Sequence, residues 1–257
     1  MTKIITLASA KGGSGKTVTA FNTGYELSRL GNKVLIVDPS VLGGVGSILK
    51  NESEDFTGRT GSQEFIEATP FDNLFIAHIN SVDDLAILDS KRLKPKAGHS
   101  VLAETALMDY DYLLIDAPSG VGALSAKCIK VADSVIVTVE PGVLDIKALY
   151  YILDLIKDIN LNQEKQILLE GILITKADFT LFQKRYLRDY LREKLPHDSV
   201  FKTIIAFDYQ IELSLMNSIP VSLVENRKTP LGNYFDFAKE LIEKHQSGSD
   251  TKEEVLS

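Results

Sequence analysis

The residues from Ala10 to Thr17 have the types and the order that bind a phosphate group. Their sequence, AKGGSGKT, follows an apolar run and precedes a stretch with helical periodicity. Glycines let the backbone pass close to an anion, and consecutive N–H groups at the start of a helix attract it. Lys16 adds a positive charge, and Thr17 offers a hydroxyl to Mg²⁺. The pattern therefore predicts a loop that binds the phosphates of a nucleotide together with Mg²⁺.

Two aspartates come directly after predicted strands. Asp38 follows the run KVLIV, and Asp116 follows YLLI. Ligands of open α/β folds bind at the carboxyl ends of the strands, where a carboxylate can hold Mg²⁺ through its waters or orient an attacking water. We therefore expect Thr17, Asp38 and Asp116 at the metal. A plain turn-forming role for Asp38 before Pro39 stays open.

The elements that must position these residues form an alternating pattern. Continuously apolar runs rich in β-branched residues are separated by helical stretches, as in a sheet covered on both faces. This pattern predicts an α/β fold of three layers, α/β/α, around a mostly parallel twisted sheet of about seven or eight strands. The predicted strands are 3–9, 33–38, 74–79, 111–116, 133–139, 167–175 and 200–205. The predicted helices are 17–30, 82–92, 98–109, 121–131, 145–159, 179–194, 209–217 and 230–245. The segment 39–70 is expected to be irregular, with a short helix or two.

The bulk composition indicates one globular domain. The chain has 257 residues, 44% of them hydrophobic, and the single cysteine, Cys128, excludes an internal disulfide framework. We expect Cys128 to be a small buried side chain. Residues 1–246 are predicted to form a single domain and residues 247–257 a disordered acidic tail. The first residues form a predicted strand and not a signal peptide, and no apolar run is long enough to span a bilayer, so a cytoplasmic protein is expected.

Two motifs resemble those of a known family. The run KGGSGKT at 11–17 resembles the deviant Walker A motif of the ParA/MinD ATPases, with Ala10 where the general motif has its first glycine and Lys11 as an additional lysine. The run DYLLIDAPSG at 111–120 resembles the Walker B region of MinD-like members. The likeness covers nearly the whole chain and is specific in the early motifs. It implies a P-loop ATPase that forms a homodimer when ATP and Mg²⁺ are bound.

The resemblance also implies roles for individual residues. Lys11 is expected to reach across the dimer to the partner's nucleotide, and Gly12 to lie where the two nucleotides face each other. Gly120 is expected to bring its N–H to the γ-phosphate. Catalytic roles are implied for Lys11, Lys16 and Asp38. The expected nucleotide-binding residues are Lys11, Gly12, Gly13, Ser14, Gly15, Lys16, Thr17, Val18, Gly120, Thr175 and Lys176.

One departure from the family pattern concerns hydrolysis. The family usually has two acidic residues after the second strand, in a D-x-D pattern, whereas this chain has Asp38, Pro39 and Ser40. Ser40 occupies the position of the second aspartate, which is often the one tied to hydrolysis. A nucleotide-binding adaptor or MinD-like regulator with little hydrolysis is therefore the alternative to a slow, partner-stimulated ATPase.

The identity of the base depends on a second element. The run ITKAD at 174–178 resembles the [NT]KxD element of GTPases, but ParA/MinD proteins also carry an Asn or Thr after this strand, beside adenine. We favour ATP and leave GTP open. Family members also contact the base after the next strand, here near Ala206, Phe207 and Asp208, although the usual proline is missing.

The expected partner surface is local because the chain is acidic overall. The net charge is −7, yet the window 176–202 has seven Lys and Arg against four acids, so it is +3 and the remainder is −10. On a helix, Lys184, Arg185, Arg188 and Arg192 share one side, which favours contact with the phosphates of nonspecific DNA on the nucleoid. An ordinary solvated helix face is the alternative.

The family resemblance implies a protein partner, whereas the residue types argue against a membrane anchor and against an iron–sulfur cluster. A ParB-type activating protein is implied by the resemblance. The polar, acidic residues from 246 onward lack the basic amphipathic helix with which MinD binds membranes, so no direct membrane anchor is expected. An iron protein of the same superfamily would need paired cysteines for its cluster, and this chain has only Cys128.

Overall fold

A computed structural model describes residues 2–39, 44–49, 66–78, 109–178, 182–195, 199–224 and 234–254 of the chain. These residues form one eight-stranded sheet covered by helices. The strands are β1 (Lys3–Ala8), β2 (Val34–Asp38), β3 (Ile66–Ala68), β4 (Leu74–His78), β5 (Tyr112–Asp116), β6 (Ser134–Val139), β7 (Leu168–Ala177) and β8 (Val200–Ala206). The helices are α1 (Lys16–Arg29), α2 (Val45–Leu49), α3 (Ala123–Val131), α4 (Val143–Leu161), α5 (Phe182–Lys194), α6 (Tyr209–Met216) and α7 (Tyr234–Glu254), with a 3₁₀ turn at Val221–Leu223.

The strand order is β3-β4-β2-β5-β1-β6-β7-β8. All described pairings are parallel except that of β3 with β4. Strands β1 and β6 are neighbours, but the connection from β1 leads to β2 on one side of this pair, whereas the connection from β6 leads to β7 on the other. Such a reversal opens a crevice at the carboxyl ends of the strands, where α/β proteins bind their ligands. The predicted mostly parallel α/β/α fold is confirmed.

The alternation of side chains along each strand divides the core into layers. Ile5 and Leu7 of β1 pack with Phe21 of α1 and Phe237 of α7 on one face. The opposite face packs against α3, α4 and α5 in two further clusters, of which Ile152 and Cys128 are fully buried members. Cys128 is therefore the buried apolar residue that the sequence predicted. Among the described residues, no helix combines the length and apolarity needed to cross a bilayer.

Several elements differ from their predicted bounds. Strand β3 was not predicted, because a three-residue edge strand carries too little alternation to be seen in a sequence. Helix α7 continues to Glu254, through residues predicted to belong to a disordered tail, and Lys and Glu at its end are good helix formers. The predicted helix 82–92 lies outside the described residues, and so does 98–109 except for Asp109, which is in a turn.

Candidate functional site: a phosphate loop with two buried aspartates

The predicted phosphate loop connects the carboxyl end of β1 to the first residue of α1. Gly13 and Gly15 have φ angles of 82° and 80°, in the left-handed region that favours glycine. Gly15 is the N-cap of α1 and makes no side-chain capping hydrogen bond. The N–H groups of the first turn of α1 therefore point into the crevice with no side-chain cap, as an anion site requires.

Lys16 lies inside this crevice and not on the surface. Its side chain is among the buried polar groups, and its Nζ donates to the Oγ of Ser119 at 2.6 Å. Burial lowers the pKa of Lys16, and the negative charge of Asp116 opposes that shift. The direct hydrogen-bond partner of this buried ammonium group is a neutral hydroxyl. Its positive charge is therefore well suited to bind a phosphate.

Hydroxyl groups from two neighbouring strands fix the loop in place. Ser14 Oγ is hydrogen-bonded to Thr138 Oγ1 at 3.0 Å, and Thr175 Oγ1 donates to the carbonyl of Ser14 at 2.8 Å. Thr175 is 1% exposed and also lies against Gly15. A Cβ added to Gly15 would be 3.7 Å from the Cβ of Thr175. In this structure the predicted base-contacting Thr175 therefore supports the phosphate loop.

The two predicted metal-binding aspartates converge at the carboxyl ends of β2 and β5. Asp38 is 1% exposed and Asp116 is 4% exposed. A Cβ added to Gly44 would lie 2.7 Å from Asp116 Oδ2 and 3.0 Å from Asp38 Oδ1. Both carboxylates thus face one small space, and the backbone of Gly44 closes it.

The backbone at 44–46 donates hydrogen bonds to the carboxylate of Asp38. The N–H groups of Gly44 and Gly46 both donate to Asp38 Oδ2, at 2.9 Å and 3.0 Å. An added Cβ on Gly46 would meet the ring of His78 at 2.0 Å, and Val45 is fully buried in the core. The start of α2 is therefore held between Asp38 and His78, and both glycines are required by close contacts.

The surroundings of Asp116 shift the pKa of its carboxyl group upward. Burial raises its pKa to about 7, the charge of Asp38 adds to this rise, and a hydrogen bond from Thr17 together with the charge of Lys16 opposes it. Its buried Oδ1 has no hydrogen-bond partner. A hydroxyl and two carboxylates, one of them with an unpaired oxygen, are hard oxygen donors beside a phosphate loop, which Mg²⁺ prefers, so these residues fit the ion.

Lys11 does not point into this crevice. Its Nζ lies 3.0 Å and 3.1 Å from the two carboxylate oxygens of Asp145, in the first turn of α4. The Lys11 side chain is 49% exposed whereas that of Asp145 is 9% exposed. The hydrogen bond to Asp145 raises the pKa of Lys11. Lys11 is therefore a surface lysine held by a mostly buried partner.

Two further predicted residues are engaged within the chain. Gly120 has a φ of 100°, and its N–H donates to the carbonyl of Ser9 at 2.9 Å, so that this N–H is not presented to a phosphate in this structure. Lys176 has a φ of 51°, and its Nζ forms an ion pair with Glu140 Oε1 at 3.1 Å. A non-glycine residue in the left-handed region is uncommon and often marks a functional site.

The remaining predicted contacts are only partly described. Ser40 and the side chains of Lys184, Arg185 and Arg188 lie outside the described parts of the chain. Arg192 donates to the carbonyl of Phe201 at 3.4 Å and thus joins α5 to β8. Asp208 caps α6 by accepting the N–H of Gln210 at 2.9 Å, while Phe207 beside it is 67% exposed.

Sequence reasoning missed several residues of the site. Ser119 had a signal, because it lies within the DAPSG run that resembles a Walker B region. Asp145 and Glu140 had none, since their contacts with Lys11 and Lys176 join elements far apart in the chain.

Comparisons with known proteins agree with this geometry. A family model described as an AAA domain matches residues 2–169. The sporulation initiation inhibitor protein Soj of Bacillus subtilis is 28% identical over 257 residues, which cover 94% of this chain and 98% of that protein. The chromosome-partitioning ATPase Soj of Thermus thermophilus is 28% identical over 208 residues, with 78% and 80% covered.

A solved structure shows the same fold. The septum site-determining protein MinD of Pyrococcus horikoshii, complexed with Mg-ADP, matches with a TM-score of 0.68 at 21% identity, over 94% of this chain and 96% of that one. The family model covers well over half of the chain, and the phosphate loop, the two aspartates and the curated relatives agree with it. The chain therefore belongs to this AAA domain family and, within it, to the ParA/MinD group.

Proposed function

We propose that the protein is an ATP- and Mg²⁺-dependent switch ATPase that forms a homodimer and positions or segregates cargo, as in plasmid or chromosome partition. The observation that carries this proposal is the crevice at the end of the phosphate loop. It holds the buried ammonium of Lys16, the unpaired Oδ1 of Asp116 and the first turn of α1 without a side-chain cap. Named relatives support the nucleotide, because Thermus thermophilus Soj is an ATPase and Pyrococcus horikoshii MinD binds Mg-ADP.

Different residues of the crevice bind the phosphates, neutralise their charge and hold the metal ion. The N–H groups of the loop and of the first turn of α1 bind and orient the phosphates, and Lys16 neutralises their charge. Thr17, Asp38 and Asp116 would hold Mg²⁺, which when bound supplies charge neutralisation at the β- and γ-phosphates. Asp38 can orient the attacking water once the backbone at 44–46 releases its carboxylate.

Dimerisation depends on Lys11. To reach a partner's nucleotide, Lys11 must leave Asp145, and its exposed side chain leaves that route open. The triphosphate chain of the partner subunit's nucleotide carries more negative charge than one carboxylate and can replace it. Bound ATP thus links two copies through a contact that a single copy uses internally.

The dimer then binds a surface and a partner. Nonspecific DNA is the proposed surface, because the +3 window at 176–202 contrasts with the −10 of the rest of the chain. Doubling this window in a dimer increases the number of phosphate contacts and so the affinity. A protein of ParB type is the proposed activator of slow hydrolysis, and association with the nucleoid follows from DNA binding.

The test measures dimerisation and DNA binding in parallel. The purified protein is examined without nucleotide, with ADP and with ATP plus Mg²⁺, by light scattering and by titration of nonspecific double-stranded DNA at several salt concentrations. We expect a dimer and salt-sensitive DNA binding only with ATP, and neither in Lys16→Ala. A protein that binds DNA equally well in all three states would exclude the switch.

The second candidate is an adaptor or MinD-like regulator that binds nucleotide and hydrolyses little of it. The specific observation in its favour is Ser40, where the family's second aspartate is usual. Its test is the ATPase rate of Ser40→Asp. A large increase would show that the serine limits hydrolysis, and an unchanged rate would remove the support for this candidate.

A further inference from the structure

Ser119 makes the most direct contact with Lys16 in the crevice, and its hydroxyl has the chemistry to recognise a phosphate. Lys16 Nζ donates to Ser119 Oγ at 2.6 Å. An ammonium group has three donors and no acceptor, so the serine oxygen accepts this bond. The hydroxyl proton of Ser119 is then left to point toward another acceptor.

The loop after β5 places this hydroxyl next to the phosphate loop. Gly120, the next residue, donates its N–H to the carbonyl of Ser9 at the end of β1, which ties the two loops together. A Cβ added to Gly12 would lie 3.9 Å from Ser119 Oγ. Ser119 thus lies between Lys16 and the first glycine of the loop, and it is exposed although Asp116 and Ala117 just before it are buried.

This position corresponds to the end of a bound triphosphate and not to its middle. The backbone of a phosphate loop surrounds the α- and β-phosphates, and its lysine reaches the β- and γ-phosphates. Lys16 has three N–H donors, so the Ser119 oxygen that accepts one of them lies beside the place where a γ-phosphate oxygen would accept another. ADP has no oxygen there.

We propose that Ser119 determines specificity for the triphosphate: its hydroxyl accepts from Lys16, as in this structure, and donates to the γ-phosphate when ATP is bound. This inference rests on the proposed function, since it assigns a residue to the same site. The hydroxyl serves both states because it can accept and donate. In the ADP state it has no charged acceptor, so the bond that it adds is specific to ATP.

The experiment compares affinities and does not require hydrolysis. Dissociation constants for Mg-ADP and for a non-hydrolysed ATP analogue, Mg-AMPPNP, are measured by calorimetry for wild type, Ser119→Ala and Ser119→Thr. Since hydrogen bonds to charged groups are the stronger class, we expect Ser119→Ala to weaken AMPPNP about tenfold or more and to leave ADP within about twofold. Ser119→Thr keeps a hydroxyl and should restore the wild-type ratio.

The control is Ser199→Ala, which removes a serine hydroxyl at the amino end of the edge strand β8, whereas the phosphate loop lies at the carboxyl end of the central strand β1. It should leave both constants unchanged, and thermal denaturation checks that each variant is folded. If Ser119→Ala changes both affinities equally or changes neither, Ser119 only caps Lys16 and the inference is wrong, while the proposed function stands. If wild type binds neither nucleotide, both fail.

Discussion

Gly44 shows how closely this site depends on a single hydrogen atom. The residue lies where Asp38 and Asp116 converge, and any side chain would meet both carboxylates within 3.0 Å. We therefore expect Gly44→Ala to break the two hydrogen bonds from Gly44 and Gly46 to Asp38. The expected cost is about 1–3 kcal/mol in the free energy of unfolding, measured in urea. Amides of 45–49 should also exchange hydrogen faster.

A matched glycine separates this effect from a general loss of glycine. Gly122 has a φ of −72°, and nothing lies within 4 Å of a Cβ added to it. Gly122→Ala should change the free energy of unfolding by no more than about 0.5 kcal/mol. If hydrogen exchange at 45–49 in Gly44→Ala equals that of wild type, the backbone at 44–46 is not held by the aspartates.

The residue scale also shows where sequence reasoning ends. The placement of Gly13, Lys16 and Asp116 around one crevice could be predicted because glycine conformation, charge and strand position are encoded locally. The pairing of Lys11 with Asp145 could not, since it joins a loop to a helix 134 positions away. The backbone contacts of Asp38 were equally hidden, because main-chain N–H groups leave no mark in a sequence.

At the scale of elements, the sheet was predictable and the attachment of its last helix was not. Continuous apolar runs located the seven longer strands, because buried strands need apolar residues on both faces. Helix α7 is attached by polar groups that the pattern does not reveal. Glu240 accepts the N–H groups of Lys202 and Thr203 in β8, at 2.6 Å and 2.8 Å. His245 Nε2 lies 3.1 Å from Glu170 Oε2 in β7.

The pair of Glu170 and His245 makes the attachment of α7 dependent on pH. Burial alone would raise the pKa of Glu170, but hydrogen bonds from His245 and Ser134 and the charges of His245 and Lys244 outweigh it, so the pKa lies below its ordinary value of 4.5. A carboxyl group whose pKa is lowered in the folded state stabilises that state above the unfolded pKa and loses this effect as the pH falls through the folded pKa.

We therefore expect Glu170→Gln to be destabilised at pH 7 by about 1.5–3 kcal/mol, the usual value of hydrogen bonds to a charged group. The difference from wild type should shrink once the pH falls below 4.5, the ordinary value for Glu170. Urea denaturation at a series of pH values measures it, with Glu164→Gln as the exposed control. A difference that is constant from pH 7 to pH 3 would mean that the charge of Glu170 does not stabilise α7.

At the scale of the whole molecule, one ion pair connects the single chain to the proposed dimer. While Lys11 is bound to Asp145 it is not available to a partner subunit, so the two contacts compete. Because Lys11 is 49% exposed, solvent screens the charges of the pair and makes it weak. If the proposed function holds, removing the pair should make dimerisation slightly easier.

Asp145→Asn is the variant that tests this competition. We expect its ATP-dependent dimer to dissociate with a constant roughly two- to fivefold lower than that of wild type, as follows from the weak ion pair. Asp154→Asn removes the same charge from an exposed position on α4 and should leave the constant unchanged. Sedimentation with Mg-AMPPNP measures both variants, and thermal denaturation shows whether loss of a carboxylate in the first turn of α4 destabilises the fold. If the dimer of Asp145→Asn dissociates with the same constant as that of Asp154→Asn, the ion pair between Asp145 and Lys11 does not compete with dimerisation.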